Sequence, residues 1–184
     1  INKLNGDEFK PYTRDEEKMV RSWVIPGTPG LEHRIGGIEK EDETGNISYD
    51  PENHEKMVRI RAEKVDRVKN HIPAQEVIGV ESGDILLVGW GGTYGSLLTA
   101  CTELNEEGKD VGLTHFNYVF PTPANTAEIF KRFKKIIVCE LNMGQFVNYL
   151  RSVFPDFSFE QYNKIQGLPF TVSELKDKVN SILG

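Results

Sequence analysis

Positive charge, cysteine and long apolar runs are all scarce in this sequence, and each scarcity excludes something. The chain has 22 Lys and Arg against 28 Asp and Glu, so its net charge is -6, with an isoelectric point near 5.3. No basic stripe is available to displace counterions from a phosphate backbone, so nucleic acid is not an expected partner. The two cysteines, Cys101 and Cys139, form neither a disulfide framework nor a metal-ligand spacing, and a reducing compartment is the simplest setting. One lies on an apolar helical face and the other inside a strand, so both read as inert core thiols. No stretch approaches the roughly 20 apolar residues needed to cross a bilayer, and "INKLNGDEFK" has no signal-peptide h-region. A soluble, cytoplasmic protein without a membrane partner is expected. His33, His54, His71 and His115 are scattered, with no HxxxH or His-Cys cluster, so no metal site is expected. No serine stands in a G-x-S-x-G elbow either.

The apolar residues that are present are unevenly spread. Of the 184 residues, 38% are hydrophobic, enough for one core of ordinary size plus an appendage. The first residue is Ile1 rather than Met, and together with this unevenness it suggests a piece of a longer polypeptide. Residues 1–82 read as a charged arm or linker, broken by turn signals at "PGTPG" (26 to 30), "GG" (36 to 37) and "TGN" (44 to 46), and unable to build a core by itself. Its one strong element is a helix from about Pro51 to Lys69, with Asp50 as N-cap and Pro51 in the first helical position. Val58, Arg61, Ala62, Val65 and Val68 recur near helical spacing. So narrow a stripe predicts one-sided docking onto something else.

From residue 83 to 184 strands and helices alternate. "DILLVG" (84 to 89), "VGLTHFNYVF" (111 to 120), "KIIVCE" (135 to 140) and the more polar "EQYNKI" (160 to 165) read as strands. Helices are expected over 93–108, with Gly108 as the stop, and over 124–133, 143–154 and 172–183, with Ile129 and Phe133 inward on the second. This order predicts an α/β fold in three layers, a mostly parallel sheet with helices on both faces, preceded by the extended arm with its one helix. A ligand or partner surface is then expected at the carboxyl ends of the strands. Those ends carry "GWGGTYG", "NYVFPTP" and "ELNMGQ", richer in glycine, asparagine and aromatics than solvated turns require. The candidate ligand- or interface-facing residues are Trp90, Gly91, Gly92, Thr93, Tyr94, Asn142, Gly144 and Gln145.

The glycine loop does not complete a known cradle. In G-x-G-x-x-G the third glycine would stand where Tyr94 is, and the second strand ends in Phe116 and Asn117 with no carboxylate for a ribose. No Lys-Ser or Lys-Thr pair follows, which excludes a P-loop. What remains is a tight turn at a helix N-terminus that could meet an anion or a neighbouring chain, or simply turn while Trp90 packs on a partner surface. Glu140 could act as an acid or base, although a carboxylate at that edge more often caps the next helix or pairs with a neighbour. "EHR" (32 to 34) beside "IGG" reads as a solvated loop or an interdomain contact. The residues alone give no complete catalytic set.

Taken together, "WVIPGTPGLEHRIGGIEKEDETGNISYDPENHEKMVRIRAEKV" (23 to 65), "VGWGGTYG" (88 to 95), "ELNMGQ" (140 to 145) and "YNKIQGLPF" (162 to 170) resemble the C-terminal part of 2-oxoglutarate:ferredoxin oxidoreductase alpha subunits. The resemblance runs along nearly the whole chain. It implies a transketolase C-terminal-like domain in a complex that converts 2-oxoglutarate and coenzyme A to succinyl-CoA, with ferredoxin as electron acceptor. Thiamine diphosphate and iron-sulfur clusters are implied for that parent complex and not for this region, along with a beta subunit in an assembly of two alpha and two beta chains. It also implies no catalytic residue here and an isolated region that is inactive. Two alternatives stay open: the equivalent domain of a pyruvate or branched-chain 2-oxoacid enzyme, and an independent phospho-ligand binding module.

Overall fold

The computed structural model describes residues 9–184; the first eight residues of the expected arm, Ile1 included, lie outside them. The described residues divide into two compact units, one ending at His71 and one beginning at Ile72.

Among its described residues the first unit contains one regular helix, α1 (Pro51–Arg67), continued by a single 3-10 turn over Val68–Asn70. Asp50 caps it as the sequence predicts, accepting a hydrogen bond from the Glu52 N–H. The remainder of its described residues is loop, joined by the isolated bridges Tyr12–Glu43, Arg14–Arg21 and Lys40–Ile47. Its centre is polar. The Asp42 carboxylate takes the Arg14 guanidinium at 2.6 Å and the Lys56 ammonium at 2.6 Å, while Asn53 of α1 donates to the Lys40 carbonyl at 3.0 Å. Burial pushes the Asp42 carboxyl up, but the bonds from Lys56 and Arg14 outweigh it and hold the group below its ordinary range.

The expected docking face of α1 is not the one the loops use. Met57 is the helix residue that is buried, with Asn53 and Ile60 half-buried beside it, while Val58, Ala62, Val65 and Val68 are exposed. Residues 53, 57 and 60 follow one another at i, i+4 and i+7 on one side, and the valine stripe runs along another. The polar pairs from the loops reach the Asn53 side, which a reading of apolar spacing could not weigh.

The second unit is a five-stranded sheet in the order β1-β3-β2-β4-β5. Its elements are β1 (Ile78–Gly79), β2 (Gly83–Trp90), α2 (Tyr94–Glu106), β3 (Val111–Phe116), α3 (Thr126–Phe130), β4 (Phe133–Glu140), α4 (Gln145–Val153), β5 (Phe159–Asn163) and α5 (Val172–Leu183). Strands β2 to β5 run parallel, and β1 is an antiparallel edge. Alternation along the strands separates two cores. Ile85, Leu87, Leu113, Ile137 and Cys139 face Leu97 and Leu104 of α2 and Leu175 and Val179 of α5. Leu86, Val88, Phe116, Ile136 and Val138 face Ile129 and Phe130 of α3 and Val147 and Leu150 of α4. The expected three layers are therefore present.

Three boundaries differ from the sequence reading. The strand expected over 111–120 ends at Phe116, because the chain turns away before the cis Phe120–Pro121 peptide. The helix expected over 124–133 is only Thr126–Phe130, and Phe133, given an inward place on that helix, begins β4 and packs in the same core from the sheet. The short β1 was not anticipated. It pairs with β3 through Ile78 and Gly79, and just before it Gln75 donates to the His115 carbonyl at 2.9 Å, so residues 72–82, placed with the arm by composition, make their contacts on the sheet.

Among the described residues no helix is long and apolar enough to cross a membrane.

Candidate functional site

The central strand β2 lies between β3 and β4. The chain leaves β2 for β3 on one side and then crosses to β4 on the other, so the switch point lies at the carboxyl end of β2. Three loops meet there, as the sequence predicts.

In the first loop Gly89 serves the packing of α2. A Cβ on it would lie 2.2 Å from Leu97 Cδ1 and 2.5 Å from Thr93 Oγ1, so any larger residue would force those side chains to move. The Thr93 hydroxyl closes the turn, accepting from the Trp90 N–H at 3.1 Å and donating to the Trp90 carbonyl at 3.0 Å. Thr93, a candidate for facing a ligand, is thus turned inward and buried. Gly91 and Gly92 are exposed, Tyr94 is 44% exposed, and Trp90 is half-buried.

Glu140, at the end of β4, is fully buried. Its Oε1 accepts from the Phe146 N–H at 2.9 Å and from the Trp90 indole N–H at 3.2 Å, and its Oε2 accepts from the Val147 N–H at 2.9 Å. The carboxylate therefore satisfies the first free N–H groups of α4 and fixes the indole, which is the helix-capping reading of this residue. Asn142 makes a tight turn, its Oδ1 accepting from the N–H groups of Gly144 at 2.7 Å and Gln145 at 3.1 Å. Gly144 is buried at φ +98°, where a Cβ would lie 2.3 Å from Gln161 Nε2. Of the third-loop candidates, Gln145 faces solvent, Asn142 is half-buried with its carbonyl oxygen occupied, and Gly144 turns inward.

What spacing alone could not show is the aromatic ladder these loops assemble. Phe116 meets Phe146 edge-on at 5.2 Å, Phe146 meets Trp90 at 6.3 Å and stacks on Tyr149 at 6.2 Å, and Tyr149 meets Phe120 at 5.5 Å. The ladder begins in the core and ends at Phe120, 69% exposed, with Met143 beside the same loops 74% exposed. On the other face Tyr94 packs edge-on against His115 at 5.0 Å, a pairing set by the parallel register of Gly89 with His115. Burial lowers the His115 pKa, keeping the imidazole neutral at pH 7. Cys101 and Cys139 are both buried, and burial pushes their thiols up to about 11 and about 12, so neither is an activated nucleophile.

This edge offers apolar and aromatic contact area over a rigid hydrogen-bonded base, with its carboxylate already occupied. Such a surface suits a protein partner or a flat ligand better than bond-breaking chemistry. Among the described residues no group of three or more His, Cys, Asp and Glu could hold a metal ion.

Comparison with known proteins places this surface in context. The family model for pyruvate:ferredoxin oxidoreductase core domain II matches residues 83–175. The 2-oxoglutarate oxidoreductase subunit KorA of Mycobacterium tuberculosis is 41% identical over 171 residues, which is 92% of this chain and 26% of that protein. The 2-oxoglutarate synthase subunit KorA of Methanocaldococcus jannaschii is 32% identical over 148 residues, covering 79% of this chain and 39% of that protein. Among solved structures, 2-oxoglutarate:ferredoxin oxidoreductase from Magnetococcus marinus, with 2-oxoglutarate, coenzyme A and succinyl-CoA bound, superposes with a TM-score of 0.87 at 31% identity. That match covers 98% of this chain and 32% of the other. The chain thus spans well under half the length of these relatives.

Proposed function

The chain belongs to the pyruvate:ferredoxin oxidoreductase core domain II family, and on that premise we propose that it is the structural and assembly portion of the alpha subunit of a 2-oxoglutarate:ferredoxin oxidoreductase. The observation that carries this reading is that the match to one solved enzyme of that kind covers 98% of this chain at 31% identity. In the proposed complex 2-oxoglutarate and coenzyme A become succinyl-CoA and carbon dioxide, and ferredoxin takes the electrons.

This chain contributes contact surface to that reaction and no catalytic residue. The aromatic ladder ending at Phe120 and the stripe Val58, Ala62, Val65 and Val68 are its docking faces toward the rest of the alpha subunit and a beta subunit. A cubane or rhombic iron-sulfur cluster needs about four thiolates, whereas the chain has two buried cysteines, so its donor set does not fit a cluster. Thiamine diphosphate and the clusters are assigned to other parts of the complex, which operates in the cytoplasm.

Complementation tests the proposal. An alpha subunit truncated before this region is expressed with its beta subunit, the chain is added in trans, and coenzyme A-dependent reduction of a viologen dye is followed. Activity with 2-oxoglutarate, and not with pyruvate or branched-chain 2-oxoacids, is expected only when the chain is present. Full activity without it would remove the assembly role.

A further inference from the structure

At the carboxyl edge of the sheet, on the face opposite the aromatic ladder, the His115 imidazole has an idle nitrogen. Its Nε2 atom is buried with no hydrogen-bond partner, and the Tyr94 ring packs edge-on against the imidazole at 5.0 Å. Tyr94 is itself 44% exposed. Among the described residues the ring of His115 is the one polar or aromatic contact of the Tyr94 side chain. The turn beside it is open: a Cβ built on Gly91, Gly92 or Gly95 would meet nothing within 4 Å. Nothing but the imidazole therefore holds Tyr94 in place, and there is room for its ring to swing away.

A neutral imidazole tolerates this arrangement, because a lone pair without a donor costs far less than a buried cationic N–H without an acceptor. Protonation puts both a proton and a charge on the sealed atom. Burial opposes that charge, and the backbone of Gly91 and Trp90 offsets the burial only in part. From α2 the ring meets Tyr94, and from β2 its register partner is Gly89. Continuing the antiparallel pairing of Ile78 with Leu113 sets Glu76 opposite His115. That residue is exposed, and its carboxylate does not reach Nε2.

We propose that Tyr94 and His115 form an acid-operated gate. With the imidazole neutral, Tyr94 lies closed over it; protonation at Nε2 turns the Tyr94 side chain out and brings the imidazolium to solvent, on the side where Glu76 stands. The closed form binds the proton poorly, whereas the open, solvated form titrates near the ordinary value of about 6.5. Closure is therefore favoured above that pH. Each unit of pH below it raises the ratio of open to closed up to about tenfold, until the closed form titrates as well. The open gate adds a cation and a free phenol to an edge that is otherwise apolar and neutral. What that does to docking rests on the assembly reading, but the gate itself does not.

Proton NMR of the purified chain between about pH 8 and about pH 5 tests this, across the range in which an imidazole changes charge. Cross-relaxation between the Tyr94 and His115 rings is expected at the upper end and should fall severalfold at the lower. Y94A removes the cover from an exposed position, so folding stays intact, and it should bring the His115 titration up toward its ordinary value. H115Q keeps a polar side chain that does not titrate, and the Tyr94 ring signals should then be insensitive to pH over this range. The gate is overturned if the ring-to-ring contact persists in acid, which would mean that Tyr94 holds the imidazolium as a cation–π pair. It is also overturned if Y94A leaves the His115 titration unchanged, or if Tyr94 moves equally in H115Q. Loss of the signals of Ile136, Ile137 and Val138 over the same range would mean unfolding of the sheet in place of gating, and would overturn it too.

Discussion

The two units of this chain are held together by different physics. Among the described residues of the first, Leu31 and Met57 are the buried apolar ones; in the second there are 25, packed on both faces of one sheet. The first unit depends on directional polar contacts around Asp42 and Lys40 and leaves Trp23, Ile35 and Tyr49 at least 80% exposed. The second follows the usual arithmetic of apolar burial. A polar network defines a shape at small net gain, because each bond replaces one made to water, whereas a two-sided core resists opening as a whole. The same contrast divides their proposed roles. A scaffold needs the core, and a surface that meets other molecules needs the exposed groups.

The largest effect that would sharpen this contrast is expected at Phe130, which is 1% exposed and meets Phe154, Phe157 and Phe159 edge-on. Phe130→Ala should cost the sheet unit about 3–5 kcal/mol. Urea unfolding would show it, with exposure of Cys101 and Cys139 to a thiol reagent as the readout. Leu31→Ala in the first unit should cost clearly less, and equal costs would break the comparison. Next comes Glu140→Ala, which strips three donors of their shared acceptor. A loss of about 3 kcal/mol is expected from leaving buried N–H groups unsatisfied. In a Trp23→Phe background, where Trp90 is the one remaining indole, its emission should shift to the red. Unchanged emission would mean that the indole is held by packing and not by the carboxylate.

A smaller effect concerns pH. The hydrogen bond from the Lys164 ammonium, followed by that from the Thr171 N–H, lowers the Glu174 carboxyl from 4.5 to about 2. A depressed carboxyl stabilises the fold fully above its unfolded pKa, and the contribution is lost as pH falls through the folded value. The melting temperature of the sheet unit should therefore drop between pH 4.5 and 2, and Lys164→Met should flatten that drop. A slope unchanged by the substitution would assign acid sensitivity to other groups. The smallest effect is predicted for Val58→Glu and Val65→Glu. On the isolated chain each should stay within about 0.5 kcal/mol of the parent, yet in the complementation assay they should abolish rescue. Destabilisation of the chain itself would show that the stripe already has a partner within it.

Much of this organisation is legible in the residues. Asp50 and Pro51 mark the start of α1, the apolar run 84–89 marks the central strand, and the alternation that follows specifies parallel strands with helices on both faces. Those signals are local, set by capping chemistry and by side-chain periods of 2 and 3.6. That "GWGGTYG" departs from the spacing of a dinucleotide cradle is legible for the same reason, since the glycine spacing of that motif is local too. The short β1, the early end of β3 and the place of Phe133 were not legible, because tertiary pairing decides where a short apolar segment stops.

At the candidate site the division is sharper. Sequence alone determined that Trp90, Tyr94 and the loop after Glu140 would gather at one edge of a sheet. Only the tertiary structure decided that Thr93 and Gly144 turn inward, that Glu140 is occupied by three N–H donors, and that Phe120 and Tyr149 extend the surface. It also decided which side of α1 its own loops cover and that the His115 Nε2 atom lacks a partner. Periodicity records how many apolar groups a segment offers, but hydrogen-bond partners and exposed faces belong to residues tens of positions apart, brought together only when the chain is folded.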